Sequence, residues 1–443
     1  MNSRITFELE RSGPFLIFPL VLIAYTVQSE LSQVIQRTYP KPYLLLYLTH
    51  SAYLILLPFH LLTLKLSTDR RCRPGSIRKL LNDLKATFVA QYELERLRCL
   101  SRRPSPSTPT STPQLDLVAH PTSFPLRRFA LRSIQLTLLI ALPSLSWYAS
   151  VSLTDLTSIT AIYNTNAFFA YLFALAFLRS ERLELKKLIA VLAALLGVLI
   201  ITFADSTTSN PFAAPSHSGT QRLLGTGLAF AGSLSYAAYE VWYKKVVSLP
   251  DPQLVREQLG LGPSVVGSSR SDPPQGGDAA NDLHPEEIVG LLASAELPEP
   301  VEAEVESEFP ARLLNVPSEL YLLHANLITT TIGFFTLTLL WIPIPILHWC
   351  HWERFALPPD SFVGLLIVGM VSMGVIFNAG FMVLLGLWGP VVASVGNLCT
   401  LVLVAIADAV FVPTSHLTLP VGLGCLLITA AFSILMGDMM KSL

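Results

Sequence analysis

Eight side chains in this sequence have the chemistry to handle a solute: Glu30, Asn164, Tyr236, Tyr239, Glu240, Asn326, Asn378 and Asn397. All lie in strongly apolar surroundings. In "SYAAYEVWYKK" (235–245), Glu240 stands among Tyr236, Tyr239 and Tyr243, one turn before Lys244 and Lys245. Carboxylate and amide groups are costly inside apolar helices, so they face a cavity or a polar partner. Carboxylates beside tyrosine rings suit a cation, and a buried carboxylate can also carry a coupling proton, which makes Glu30 and Glu240 the candidates for that role. The plainer reading pairs Glu240 with Lys244 at the i,i+4 spacing of a helix end and uses each asparagine as interhelical glue.

The elements that must position these groups are membrane spans. The chain has 443 residues, 51% of them hydrophobic and only 14% charged, against about 25% charged in a soluble domain. A helix needs roughly 20 mainly apolar residues to cross a bilayer. Ten stretches qualify: 13–36, 42–64, 130–149, 154–178, 188–204, 222–243, 318–346, 360–386, 389–412 and 417–437. Counted across alternate gaps, Lys and Arg crowd one side. That side takes Arg4, Arg11, the 65–129 segment, the 179–187 loop, Lys244, Lys245 and Lys441, while the other takes Arg37, Lys41, Arg222 and Arg354. The imbalance puts both termini in the cytosol. The five cysteines form no CxxC or zinc spacing, and neither a Walker A nor a hydrolase motif is present. No enzyme, no metal site and no cofactor is expected.

Two segments interrupt the bundle. Residues 65–129 hold a helix-periodic stretch at 77–100, suited equally to a membrane surface and to a solvated linker helix, followed by a Pro/Ser/Thr-rich run at 101–125 that includes "RRPS" (102–105). Residues 247–317 form an acidic insert with thirteen Asp/Glu in 251–317 and a short helical pattern at 285–295. The 101–125 run and the acidic insert lack the apolar content for a core and read as disordered.

Without the inserts, the halves echo each other. "ITAIYNTNAFFAYLFALAFL" (159–178) aligns with "VASVGNLCTLVLVAIADAVF" (392–411), placing Asn164 on Asn397, and "AYTVQSELSQV" (24–34) aligns with "LSYAAYEVWYK" (234–244), placing Glu30 on Glu240. Five spans per half give the halves opposite orientation. The expected fold class is therefore all-α integral membrane, with ten transmembrane helices as two inverted five-helix repeats, 13–204 and 205–246 plus 318–437, and a solute site between them. Polar residues agree with this layout. Gln28, Glu30, His50, Asn164, Asn166, Glu240, His324, Asn326, Asn378 and Asn397 all avoid the fifth and tenth spans, and the fifth carries Ala190, Ala194 and Gly197 at the small-residue spacing of close helix packing.

At "SLSWYASVSLTDLTSITAIYNTNAFFAYLFALAFLRSERLELKKLIAVLAALLGVLII" (144–201), "GTGLAFAGSLSYAAYEVWYKK" (225–245) and "GPVVASVGNLCTLVLVAIADAVF" (389–411), the chain resembles the drug/metabolite transporter superfamily, with its EamA-type repeats. Within it, the chain is most similar to solute carrier family 35, subfamily F, and to fungal vacuolar and thiamine-repressible relatives. The resemblance implies a transporter of a small organic solute working by alternating access, with peripheral fifth and tenth spans. Nucleotide-sugar carriers of the wider family have a lysine in a GALNK-like stretch, whereas "VGNLCTL" (395–401) keeps Asn397 and has none. That favours thiamine-like or other cationic metabolites over nucleotide sugars. The expected partners are a small-molecule solute and the lipid bilayer, with a homodimer admissible and no nucleic acid. The expected location is an endomembrane, vacuolar, lysosomal or Golgi, ahead of the plasma membrane. The rival reading is a non-transporting receptor or scaffold that displays its inserts to partners.

Overall fold

The computed structural model describes residues 2–68, 76–101, 124–151, 153, 156–178, 181–208, 219–250, 255, 316–411 and 418–442. Among these residues every regular element is helical, as a bilayer demands of any open segment, because only a helix satisfies its own backbone polar groups. The chain forms α1 (Asn2–Thr38), α2 (Pro42–Ser51), a 3-10 turn (Ala52–Ile55), α3 (Leu56–Thr68), α4 (Ser76–Ser101), α5 (Leu126–Val151), α6 (Leu156–Tyr163), α7 (Asn166–Phe177), α8 (Leu185–Thr208) and α9 (Gly219–Trp242). A π turn (Tyr243–Val247) ends α9, and α10 (Ser318–Leu339), α11 (Pro343–Trp349), α12 (Ser361–Asn397), α13 (Cys399–Phe411) and α14 (Leu419–Ser442) complete the chain.

Two compact units result. The smaller comprises Lys85–Phe124 and Pro250–Pro317. Its described part is mainly the second half of α4, where Phe88 and Tyr92 are buried and the Phe88 ring meets Phe124 edge-on at 5.9 Å. The helical pattern read over 77–100 lies within α4. Residues 69–75, 102–123, 251–254 and 256–315 of the expected inserts, with Arg102–Ser105 and 285–295, lie outside the described residues.

The larger unit comprises Met1–Leu84, Pro125–Leu249 and Ser318–Leu443. It is a multi-pass membrane bundle. Seven of its helical stretches are long and apolar enough to cross a bilayer: Phe15–Thr38, Pro42–Leu66, Leu126–Val151, Leu185–Ala204, Glu319–Leu339, Ser361–Ile406 and Leu419–Met440. Four of the ten expected spans differ, for three separate reasons. The fourth is split into α6 and α7, of which only Ala161–Phe177 forms a shorter apolar helix. The sixth, α9, is long, but its first turns carry Gln221 and Arg222. The eighth and the start of the ninth run together as α12, kinked at Gly389, whose φ of 80° favours glycine and is followed by Pro390, which lacks an N–H.

Three helix pairs build the bundle: α1 with α12, α5 with α9, and α8 with α14. Each has a close approach at glycine. A Cβ on Gly380 would lie 2.3 Å from Val21 Cγ2, and one on Gly232 3.1 Å from Ser146 Cβ. At the α8–α14 seam the approach is reciprocal: a Cβ on Gly197 would meet Gly424 O at 2.7 Å, and one on Gly424 would meet Gly197 O at 2.7 Å. Lipid tails are as apolar as leucine, so such packing rather than a hydrophobic drive holds these helices. At one end of the bundle, both carboxylate oxygens of Glu353 accept the N–H groups of Tyr43 and Leu44, each at 2.9 Å. The loop after α11 thereby caps α2, whose Pro42 has no N–H to offer.

Candidate functional site

The site begins where helices fail to continue. α6 stops at Tyr163, Asn164 and Thr165 form a turn, and α7 starts at Asn166. Asparagine and threonine side chains compete with the helix ladder. Here Thr165 Oγ1 bonds Ile162 O at 2.6 Å and lies 2.9 Å from Ser233 Oγ on α9. The second break, at Leu398, follows Asn397. Leu398 N donates to Val395 O at 3.1 Å, and Thr400 Oγ1 donates to Asn397 O at 2.7 Å. A third irregularity is the 3-10 turn ahead of Pro58, where Leu57 N finds Thr330 Oγ1 on α10 at 3.0 Å. Each interruption is re-satisfied by a neighbouring side chain, the condition for irregular backbone at membrane depth.

Between the broken helices lies a cavity of about 80 Å³. α1 contributes Tyr25, Gln28 and Ser29, and α2 with its 3-10 turn contributes Thr49, His50 and Tyr53. Ser144, Trp147 and Tyr148 come from α5, Tyr163 from the end of α6, Tyr236 from α9, and Phe377, Asn378 and Asn397 from α12. Rings form a continuous wall. Tyr25 meets Phe377 at 4.8 Å, Phe377 stacks on Phe381 at 5.4 Å, Phe381 stacks on Tyr236 at 6.1 Å, and Tyr236 lies 6.0 Å from Tyr163. Among the described residues, the lining includes no Asp, Glu, Lys or Arg.

The polar groups in this wall are only partly satisfied. Asn378 Nδ2 donates to Tyr53 OH and to Gly374 O. Ser144 Oγ donates to Ile140 O at 2.9 Å and also lies 3.2 Å from His50 Nε2. A hydroxyl has one proton, so His50 Nε2 must carry the hydrogen of that second contact. His50 Nδ1 is then a bare acceptor, buried and without a partner. Gln28 Oε1 and Asn397 Oδ1 are buried acceptors in the same condition. Three residues of the cavity wall thus each bury an acceptor without a donor, a condition that costs about 1–3 kcal/mol apiece.

The eight sequence candidates separate in the fold. Tyr236, Asn378 and Asn397 are on the cavity wall. Tyr239 and Glu240 sit just behind it on α9, with the Tyr236 and Tyr239 rings stacked at 5.8 Å. Glu240 is 0% exposed, its Oε2 is 2.6 Å from Ser394 Oγ, and its Oε1 has no partner. Lys244, the partner suggested by spacing, instead donates to Gly386 O. Asn164 is buried at the α6–α7 break. Asn326 stands apart, 2.9 Å from His60 Nδ1. Glu30 is exposed on α1. The site also uses Tyr25, His50, Tyr53, Trp147 and Tyr163, none of which was among the candidates. Gln28 and His50 were visible as polar residues within spans. The tyrosines were not, because a tyrosine in an apolar run costs little and so draws no notice.

No family model matches the chain. The "Thiamine-repressible mitochondrial transport protein THI74" of Saccharomyces cerevisiae (strain ATCC 204508 / S288c) is 26% identical over 248 residues, which cover 56% of this chain and 62% of that protein. The alignment thus spans less than two thirds of the relative. A solved structure described as "Crystal structure of protein" aligns over 97% of this chain and 98% of its own length at 13% identity, with a TM-score of 0.45. At that score the likeness does not establish a shared fold.

Proposed function

We propose that the chain is a membrane transporter of a compact aromatic solute bearing N–H or O–H donors, neutral or singly cationic. The observation that carries this reading is the ring-walled cavity, whose wall includes three residues with orphaned acceptors and, among the described residues, no Asp, Glu, Lys or Arg. A site of that kind has nothing to hold the phosphates of a nucleotide sugar, whereas an amino-substituted heterocycle would supply the missing donors. Thiamine-like solutes fit, and the yeast relative's printed name concerns both transport and thiamine repression. A mitochondrial membrane, named for that relative, joins the vacuolar, lysosomal and Golgi membranes as a location.

The mechanism proposed is alternating access between two inverted five-helix repeats of the EamA or solute carrier 35 kind. Three features support it. α1 lies along α12 as α9 lies along α5, the relation expected if the first and sixth spans, and the third and eighth, are equivalent. The Gly197–Gly424 contact is its own mirror image. The paired asparagines Asn164 and Asn397 each stand at a helix break.

Proteoliposome uptake tests the reading with thiamine, amino-substituted heterocycles, free amines and nucleotide sugars as probes. Uptake of a donor-bearing aromatic compound, abolished in Tyr236→Ala, is the expected result. Uptake confined to nucleotide sugars would sink the solute class. Orientation is tested separately, by single cysteines at Ser105 and Ser218 probed with an impermeant thiol reagent in sealed vesicles. Opposite-sided labelling is expected, and same-sided labelling would remove the inverted arrangement.

A further inference from the structure

Glu240 is the most fully enclosed carboxylate in the described bundle, and the cavity chemistry above does not use it. Its surroundings count its protons. Ser394 Oγ lies 2.6 Å from Glu240 Oε2 and 2.5 Å from Pro390 O. A serine hydroxyl has one hydrogen and cannot donate to both. With an ionised carboxylate, two of the three oxygens would face each other at hydrogen-bonding distance with no proton between them. With a neutral carboxyl group the arrangement closes: Glu240 donates to Ser394, and Ser394 donates to Pro390 O. The partnerless Oε1 points the same way, because a buried carboxylate without a cation is strongly unfavourable whereas a neutral carbonyl oxygen left over costs far less.

The titratable neighbours supply no compensating charge. Tyr236 and Tyr239 are on the same helix, Tyr163 faces from the end of α6, and Tyr25 from α1 lies against the same tyrosine group. Tyr243 donates to Met382 O at 3.4 Å, and Lys244 donates to Gly386 O. α5 brings Tyr148, engaged with Thr49, and α7 brings Tyr171, engaged with Glu184.

The acceptor at the far end of this chain is Pro390 O, one residue past the Gly389 kink, and the segment it opens carries Asn397 to the cavity. We propose that Glu240 carries the exchangeable proton of the transport cycle, and that the Glu240–Ser394–Pro390 chain couples that proton to the hinge at Gly389. This rests on the transport reading of the cavity. When the bundle opens, the proton leaves the carboxyl group for water. The resulting carboxylate claims the Ser394 hydrogen, and the Ser394–Pro390 bond is lost. α9 and the 390–397 segment are then held by different bonds in the protonated and deprotonated states, which gives the two halves two arrangements.

The test uses the purified full-length chain. Infrared difference spectra between neutral and alkaline pH should contain a protonated-carboxyl C=O band that is absent in Glu240→Gln. If Glu240→Gln removes only carboxylate bands, the proposal is overturned. Should that variant fail to fold, Ser394→Ala decides the matter: the band should move to higher frequency as the acid loses its acceptor, and an unmoved band overturns the proposal. In proteoliposomes with thiamine as probe, Glu240→Gln should lose accumulation driven by a pH gradient yet keep thiamine–thiamine counterflow, which moves no net proton. Loss of both assigns Glu240 to solute binding and retention of both removes it from the cycle, and each overturns the coupling role. If the wild-type chain transports none of the probes, the transport reading fails, while the infrared result still decides where the proton resides.

Discussion

The α8–α14 seam and the central cavity are both built from helices in the same apolar bundle, yet they solve opposite problems. At the seam, Gly197 and Gly424 let two backbones approach until a single added carbon would strike a carbonyl oxygen at 2.7 Å. The outer faces there, with Leu196, Phe203 and Leu426, stay exposed as lipid-facing surface. In the cavity, bulky rings from six helical segments hold the backbones apart, and acceptors are left without donors. The seam uses its small residues for fixed packing, while the cavity wall keeps hydrogen-bonding capacity unmet. A scaffold would need only the first kind of region.

Substitutions can break or sharpen this contrast. The largest effect is expected at the seam. Gly197→Leu forces the two backbones apart and should cost at least the upper end of the ~1–3 kcal/mol typical of overpacking, seen as loss of folded protein or a marked drop in Tm in detergent. A Tm equal to wild type would mean that α8 and α14 do not meet at these glycines. In the cavity the sign should reverse. His50→Phe removes an orphaned acceptor, so stability should hold or rise, while solute affinity falls about tenfold for the loss of a bond worth ~1.4 kcal/mol. Thermal shift and uptake kinetics together check this, and a fall in both would make His50 a structural residue.

Asn326 tests the glue reading. Its bond to His60 ties α10 to α3 away from the cavity, so Asn326→Leu should cost ~0.6 kcal/mol, the average for such bonds in a membrane, and leave the solute KM unchanged. An altered KM would extend the site to that pair. The smallest effect belongs to Gly227 on α9, which has nothing within 4 Å of an added Cβ. Gly227→Ala should change stability by no more than ~0.5 kcal/mol, which makes it the control for Gly197→Leu in the same unfolding assay.

Much of this was legible before any coordinates. Apolar run length and the scarcity of charge dictate a membrane bundle, because burying backbone in lipid leaves helix as the open segment's option. The echo of Asn164 with Asn397 was readable, since an amide side chain in an apolar run has to find a partner, but the expected fourth and ninth spans ran unbroken through both, and the helix breaks beside them emerged only in the fold. Gly389–Pro390 was readable as a turn. Local sequence could not rank the two carboxylates. Glu30 and Glu240 occupy equivalent positions in the aligned stretches, yet one is exposed on α1 and the other is wholly enclosed. Burial depends on what packs across from a residue, and for Glu240 that is Ser394, 154 residues away. Spacing likewise offered Lys244 as the partner of Glu240, but the fold turns its Nζ to Gly386 O.

The same reason explains the cavity. Composition determined that tyrosines, amides and a histidine would sit within spans, and helical period determined which face of each helix they share. Which faces converge was decided only when α1, α2, α5, α9 and α12 packed together, because the orphaned acceptors of Gln28, His50 and Asn397 come from three segments with no sequence relation to one another. A hydrogen-bonding deficit is a property of the assembled space, and it exists only once every nearby donor has been placed elsewhere.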